Sequence, residues 1–389
     1  MAVLRALTIP AGQAVLDLMP AVEDMLAGRA AVLPVPGWDR RESTRLTTTL
    51  RAGEEIDDHV SLVVSTSGTT GPPKGAMLSA AALTASASAT HRRLGGPGRW
   101  LLALPANHIA GIQVLLRSAL AGTTPVVVDV SQGFDTATLP TAISKLGTGR
   151  RYTALVATQL AKALTDPAAT AGLASLDAVL IGGGPLPAPI ANRAAAEGIP
   201  VVRTYGMSET AGGCVYDGVP LDGVRVRIDG ERVVLGGPTL ASGYRNPVSP
   251  DPFGEPGWFR TDDAGDLDTR GVLTVHGRLD AGIGTGGLTV DPHVVEAVVA
   301  QHPNVAECAV FGVPDDRLGQ RVAAAVVVRS GACPPTLEQV RAQVTSTLDA
   351  TAAPRELHIV DRLPLHGIGK VDRRALAARF GGRDTSKRH

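Results

Sequence analysis

The stretch Ser65-Thr-Ser-Gly-Thr-Thr-Gly-Pro-Pro-Lys-Gly75 comes directly after the apolar run Leu62-Val63-Val64. Three glycines, five hydroxyl side chains and one lysine fall within these eleven residues. Glycine lets backbone N–H groups turn towards an anion where a Cβ would block the approach. Ser and Thr add rotatable donors, and Lys74 adds a mobile positive charge. The composition suits a grip on phosphate. It is not a Walker A loop, because Gly75 rather than Ser or Thr succeeds Lys74 and the glycine spacing differs. A solvated linker is the plain alternative, and it loses weight as the later motifs accumulate.

Outward from this loop, short apolar runs alternate with helix-length segments. Strands are expected at 61–64, 101–104, 126–128, 154–156, 178–181 and 201–203, with Ala-rich helices at 80–93, 109–121, 139–146 and 188–197. Such alternation predicts βα units around a largely parallel, buried sheet, with ligands in the loops after the strands. The 65–75 loop fits that placement. Beyond residue 220 the pattern turns β-rich: 224–228 and 232–235 flank Asp229-Gly230 as a hairpin, and a strand at 272–276 precedes Gly277-Arg278. The large domain is expected to close at 279. From 280 to 389 helices at 292–301, 336–348 and 373–379, with strands at 305–311, 322–328 and 357–360, predict a small α+β domain. Its last residues, 381–389, are polar and expected to be disordered. The fold class is therefore α/β, a large N-terminal domain with a β-rich part and a small C-terminal domain.

Bulk numbers set limits. A chain of 389 residues exceeds one ordinary core, which makes two domains the default. Formal net charge is zero, so no basic excess points to nucleic acid or an anionic membrane surface. Cys214, Cys308 and Cys333 lie far apart with no metal-ligand spacing. The sequence has neither a signal-peptide core nor an apolar run of about 18 residues, so a cytoplasmic protein without membrane insertion is expected. Of 37 basic residues only five are lysines, which lends weak extra interest to one kept inside a glycine-rich motif.

Three further motifs stand out on their residues. Gly182-Gly183-Gly184-Pro185 comes after a strand, and Tyr205-Gly206-Met207-Ser208-Glu209-Thr210 lies about twenty residues later. The second offers a flat stacking surface, a hydroxyl and a metal-facing carboxylate within one turn. Leu363-Pro-Leu-His-Gly-Ile-Gly-Lys-Val-Asp-Arg373 closes the series; alone, Gly369-Lys370 would be an ordinary surface turn.

In this order the motifs resemble the adenylate-forming superfamily of acyl- and aryl-CoA ligases, luciferases and peptide-synthetase adenylation domains. The resemblance spans residues 60–375. It implies that Ser65, Thr66, Ser67, Gly68, Thr69, Thr70 and Lys74 hold the phosphates of ATP, that Gly183, Gly184, Pro185, Tyr205, Gly206 and Ser208 surround adenine and AMP, and that Glu209 holds Mg²⁺. Trp258-Phe-Arg-Thr-Asp-Asp263 is similar to the segment that grips ribose, with Asp263 in that role and Asp262, where the family has Gly, as the second candidate. Gly277-Arg278-Leu279-Asp280 implies an Arg278 contact to ribose or phosphate and a hinge at Asp280; Ala281-Gly282 departs from the charged residue usual there. Thr285-Gly286-Gly287 resembles the loop used in the second half-reaction. Lys370 matches the catalytic lysine of adenylation, and His366 stands where a hydroxyl residue is common.

The reaction so implied joins a carboxylic acid to ATP and passes the acyl group to coenzyme A. Leu104-Pro-Ala-Asn-His108-Ile-Ala-Gly111 and Val156-Ala-Thr-Gln-Leu160 are most similar to o-succinylbenzoate–CoA ligases of menaquinone synthesis. That acid keeps a second carboxylate, which needs donors. Gln113 and Arg117, four apart on one helix, share a face. The acyl set is then His108, Gln113, Arg117, Gly184 and Met207, with His108 also orienting or gating the acyl group. Another aryl- or acyl-CoA ligase, a carrier-loading adenylating enzyme, and an inactive nucleotide-binding relative remain open, as does a homo-oligomer.

Overall fold

The computed structural model describes residues 2–66, 73–279, 282–285, 288–315, 317–366 and 370–381, with backbone alone at 288, 289, 366 and 370. It divides into two compact units. One comprises residues 1–229, 233–261 and 267–274; the other takes 230–232, 262–266 and 275–389.

Two sheets build the first unit. One has the order β3-β1-β2-β4-β5, from β1 (Ala2–Ile9), β2 (Ala31–Pro36), β3 (Glu55–Ile56), β4 (Val60–Val64) and β5 (Ala76–Ser79). Strands β1, β2 and β4 run parallel, and β3 and β5 are antiparallel edges. Every residue of β4 is buried, Ser61 included, as befits an interior strand covered on both faces.

The second sheet has the order β12-β11-β10-β9-β8-β6-β7. Its strands are β6 (Arg99–Leu102), β7 (Val126–Val127), β8 (Arg151–Val156), β9 (Ala178–Gly182), β10 (Val201–Met207), β11 (Gly212–Tyr216) and β12 (Val219–Pro220). Strands β7, β6, β8, β9 and β10 are parallel, and β11 returns antiparallel to β10. Side chains alternate between two cores, as a period of two demands. Trp100, Tyr152, Ala178 and Leu180 enter one; Leu101, Leu155, Val179 and Ile181 enter the other. Helices α1 (Met19–Leu26), α3 (Ala80–Arg93) and α4 (Ile109–Leu120) supply the first core, and α5 (Leu139–Ser144), α6 (Ala157–Ala163), α7 (Pro167–Ala174) and α8 (Ala188–Ala196) the second. A further helix, α2 (Arg40–Thr49), packs with the first sheet through Leu46.

A third sheet, β13 (Arg225–Asp229), β14 (Arg232–Gly236), β15 (Trp258–Leu267) and β16 (Leu273–Arg278), carries residues of both units. The expected hairpin at Asp229-Gly230 is β13–β14, with Gly230 at φ +65°.

In the second unit β19 (Val305–Asp315) and β20 (Gly319–Val328) form a long antiparallel pair, flanked by β17 (Ile283–Thr285) with β18 (Leu288–Val290) and by β21 (Glu356–Ile359). Val310, Val322, Ala324 and Val326 face α9 (Pro292–Val299) and α10 (Leu337–Thr345). Ala309, Phe311, Ala323 and Ala325 face Leu376 of α11 (Arg373–Phe380). A hairpin of β22 (Leu365–His366) and β23 (Lys370–Val371) leads into α11. Among the described residues no helix is long and apolar enough to cross a membrane.

Candidate active site

Strand β4 delivers the chain to Ser65 and Thr66. Thr66 is buried, and its hydroxyl has no hydrogen-bond partner among the described residues. Residues 67–72 lie outside the described residues, and with them Ser67, Gly68, Thr69 and Thr70. The far end of the loop is built for glycine. Gly75 sits at φ +72°, and a Cβ there would fall 2.6 Å from Leu50 Cδ2 and 3.0 Å from Val63 Cγ1.

A strip at 241–246 joins that end of the loop to Glu209. The Ala241 N–H donates to the Glu209 carbonyl (2.8 Å), Ser242 N–H to Met77 O (2.9 Å), and Met77 N–H to Gly243 O (3.0 Å). Arg245 N–H then donates to Gly75 O (2.8 Å), Asn246 N–H to Lys74 O (2.9 Å), and Asn246 Nδ2 to Pro73 O (2.9 Å). From the middle of the strip the buried Tyr244 hydroxyl donates to Glu209 Oε1 at 2.7 Å. Lys74 Nζ lies 5.3 Å from the centre of the same ring, within cation–π range. One short segment thus gathers the lysine of the loop and a buried carboxylate around one phenol.

Glu209 itself sits in a single 3₁₀ turn, Ser208–Thr210, at the end of β10. Thr210 Oγ1 accepts from the Met207 N–H (2.9 Å) and donates to Gly212 O (2.7 Å). The turn ends in Ala211 at φ +52°, a left-handed conformation that a non-glycine residue adopts only when held. Its carbonyl accepts from Ser86 Oγ (2.8 Å) and Gln113 Nε2 (2.7 Å), both buried. Gly206 is demanded by contact, since a Cβ would lie 2.2 Å from Gly212 O.

Strands β9 and β10 are parallel neighbours, so the exposed Gly183-Gly184-Pro185 turn lies alongside Tyr205–Met207, the last residues of β10, at the carboxyl ends. Half-buried Tyr205 and Met207 lie four and two positions before Glu209 in sequence. His108 occupies the N-cap position of α4, in the segment that follows β6, without a side-chain cap bond, and Gly111 packs so closely that a Cβ would meet Pro105 O at 2.2 Å. That explains the His-x-x-Gly spacing as a turn constraint.

Gln113 and Arg117 are both buried, yet they do different things. Gln113 holds the Ala211 carbonyl and leaves its Oε1 without a partner among the described residues. Arg117 lies about 13 Å further along the helix than His108. Its guanidinium rests 5.0 Å from the Trp100 ring centre, with Nη2 3.5 Å from the Tyr216 hydroxyl. Burial drags the Arg117 pKa down, and burial together with Arg117 drives His91 down to about 4. Helix α4 therefore brings Gln113 to the end of the Glu209 turn and Arg117 to Trp100.

In the second unit Asp262 and Asp263 point to opposite faces of β15. The half-exposed Asp262 carboxylate pairs with Arg232 (3.1 Å) and Arg278 (3.3 Å). Gly277 is fixed by Asp291, whose Oδ2 would lie 2.4 Å from a Cβ there. Asp280, Ala281, Gly286, Gly287 and the tail from 382 lie outside the described residues, as does the Lys370 side chain. The Lys370 backbone pairs with His366 in the β22–β23 hairpin.

Sequence reasoning missed Tyr244 and the strip around it. The available signal is scarcity: the chain has four tyrosines, and this one stands in a Gly- and Ser-rich segment with no periodicity to explain it. A Mg²⁺ ion takes one or two carboxylates and completes its shell with water and substrate phosphate. The buried, oriented Glu209 beside the loop lysine fits that donor set. No cluster of three or more metal-ligating side chains exists among the described residues.

The chain matches the AMP-binding enzyme family over residues 12–244 and the AMP-binding enzyme C-terminal domain over 294–370. It is 66% identical over 383 residues to a probable 2-succinylbenzoate–CoA ligase of Mycobacterium tuberculosis (strain CDC 1551 / Oshkosh), covering 97% of this chain and 99% of that one. A 2-succinylbenzoate–CoA ligase of Bacillus licheniformis is 33% identical over 345 residues, which is 82% of this chain and 70% of the relative. Among solved structures, o-succinylbenzoate CoA synthetase from Bacillus subtilis, in complex with its acyl-adenylate intermediate, superposes with a TM-score of 0.77 at 26% identity, over 96% of this chain and 88% of that one. The chain belongs to the AMP-binding enzyme family, the adenylate-forming ligases.

Proposed function

We propose that this protein is a 2-succinylbenzoate–CoA ligase of menaquinone biosynthesis, converting 2-succinylbenzoate, ATP and coenzyme A to 2-succinylbenzoyl-CoA, AMP and pyrophosphate. The observation that carries the chemistry is the strip 241–246, which sets Lys74 and buried Glu209 about one tyrosine ring. The names of the relatives supply the acid.

In the first half-reaction a carboxylate oxygen of the acid attacks the α-phosphorus of ATP and pyrophosphate leaves. Both reactants are anions, so the protein positions them and offsets their charge. We assign Ser65–Thr70 and Lys74 to the phosphates, Gly183–Pro185, Tyr205, Gly206 and Ser208 to the adenylate, and Asp263 with Arg278 to ribose and phosphate. Glu209 would hold Mg²⁺, which supplies charge neutralisation at the phosphates. Lys370 bridges carboxylate and α-phosphate. In the second half-reaction the coenzyme A thiolate attacks the acyl carbonyl of the adenylate and AMP departs.

His108, Met207 and Gly184 are assigned to the acyl group, with Gln113 behind them shaping the Glu209 turn. We place Arg117 outside the acyl pocket because it is spent on Trp100 and Tyr216. The large lobe is assigned to 1–279 and the small lobe to 280–389, with the pivot at Asp280. ATP and coenzyme A as co-substrates put the reaction in the cytoplasm.

The test is a panel of carboxylic acids, 2-succinylbenzoate included, each incubated with ATP, Mg²⁺ and coenzyme A and read by mass spectrometry. The 2-succinylbenzoyl thioester should dominate by kcat/KM. A better substrate of another class would reassign the acid, and pyrophosphate release without any thioester would point to carrier loading.

A further inference from the structure

Among the described residues, the backbone of the lysine assigned above is paired over a very short ladder. Strands β22 and β23 contribute two residues each, paired as Leu365 with Val371 and His366 with Lys370. A ladder of that length is marginal by itself. The residues after β23 are firmly held. Asp372 donates its N–H to Pro364 O (2.8 Å), closing the base of the hairpin, and caps α11 by accepting from the Ala375 N–H (2.9 Å).

Arg373, next in the chain, is pinned from several sides. Its Nη2 donates to both oxygens of Glu296 (2.8 Å each), and its Nε to Glu296 Oε1 (3.2 Å) and to Val310 O (3.1 Å). Nη2 also lies 3.1 Å from His293 Nδ1, which is itself 3.1 Å from Glu296 Oε2 and, when protonated, donates to it. Glu296 in turn accepts from the Val310 N–H at 2.7 Å. One carboxylate therefore ties α9, β19 and the start of α11 into a single knot. The Glu296 and Arg373 side chains are only 15% and 26% exposed. Burial alone would push the Glu296 carboxyl up, but its contact with His293 and the Arg373 charge hold it below the usual carboxylate range.

A partly buried ion pair of this kind is a poor source of stability, since apolar residues of similar volume pack about as well. What a forked Arg–carboxylate contact gives is orientation. Arg373 is three positions on from Lys370, a span of at most about 11 Å. We propose that Arg373, held by Glu296, is the positioning residue that fixes the β23 strand and so delivers Lys370 to the adenylation step. This rests on the ligase reading, and it adds a division of labour within it. Adenylation needs Lys370 and so needs the knot; thioester formation from a finished acyl-adenylate does not call on Lys370.

The experiment compares the full-length wild type with Glu296→Gln and Arg373→Met in two assays. Acid-dependent ATP–pyrophosphate exchange reads the first half-reaction; thioester formation from preformed 2-succinylbenzoyl-AMP and coenzyme A reads the second. Expected is a loss of about tenfold or more in exchange, carried by kcat rather than by KM for ATP, with thioester formation within about twofold of wild type. Equal losses in both assays, or no loss in exchange, would overturn the assignment and leave the pair a plain packing element. Glu296→Gln changes one atom and keeps the test decisive where Arg373→Met does not fold. A wild type inactive in both assays would instead sink the ligase reading, an outcome distinct from either.

Discussion

Tyr244→Phe removes one oxygen from the centre of the site and leaves everything else in place. The phenol donates to Glu209 Oε1 at 2.7 Å, and both residues are buried, at 8% and 7% exposure. The aromatic ring stays, with its edge-on contact to Phe253 at 5.3 Å between centroids, so no packing term enters. A hydrogen bond to a charged group contributes about 1.5–3 kcal/mol net. Urea unfolding should therefore show a loss of that size. A ligating carboxylate that loses its orienting partner typically costs about 10–100-fold in metal affinity or activity. The assay is 2-succinylbenzoate-dependent pyrophosphate exchange titrated with Mg²⁺, where the variant should need a correspondingly higher Mg²⁺ concentration. If stability falls but the Mg²⁺ titration is unmoved, Glu209 is not the metal-facing group and the site has been built around the wrong residue.

Gly75→Ala should destabilise by roughly 1–3 kcal/mol, because φ +72° disfavours a side chain and the new Cβ would press on Leu50 at 2.6 Å; ATP affinity measured by calorimetry should fall with it. Lys370→Ala should depress adenylate formation by orders of magnitude, as loss of a group acting in the transition state does, while thioester formation from preformed acyl-adenylate persists. His91 titrates at about 4 in the folded chain against 6.5 when free. Between those values the unfolded chain binds the proton and the folded chain does not, so stability falls as pH drops from 6.5 to about 4, by roughly 3 kcal/mol, and then levels off. His91→Asn should flatten that part of a urea-denaturation pH profile.

Between residues 60 and 203 the expected elements were legible where a buried strand is mostly apolar and the helix near it is Ala-rich, whereas β1, β2, α1 and α2 before residue 50 and α6 and α7 at 157–174 were not expected. Val60–Val64 and Ala178–Gly182 are strands for the reason they read as strands: both faces are covered. The ends were less legible. The strand expected to reach Leu104 stops at Leu102, where the chain turns towards Pro105, and β10 runs on to Met207. Glycine-bearing motifs announced themselves, since Gly75, Gly206 and Gly277 each lack room for a Cβ. Tyr244, Asn246 and the Arg373–Glu296 knot did not. Their roles come from partners far away in sequence, 35 residues for Tyr244 with Glu209 and 77 for Arg373 with Glu296. Gln113 and Arg117 show the converse limit. Helical spacing put them on one face, but along the axis they reach different neighbours, one the Ala211 carbonyl and the other Trp100.

The strip at 241–246 makes length, more than side-chain identity, the quantity that the active site depends on. Five of its links are main-chain amides or carbonyls at fixed offsets, reaching Glu209 at one end and Lys74 at the other. Exposed Ser242 can be exchanged freely as far as those links are concerned. Adding or deleting a single residue there would throw the links on one side of the change out of step with those on the other and uncouple Glu209 from Lys74. Chain-length variation among related ligases should therefore fall in the turns on either side of this segment and spare its interior.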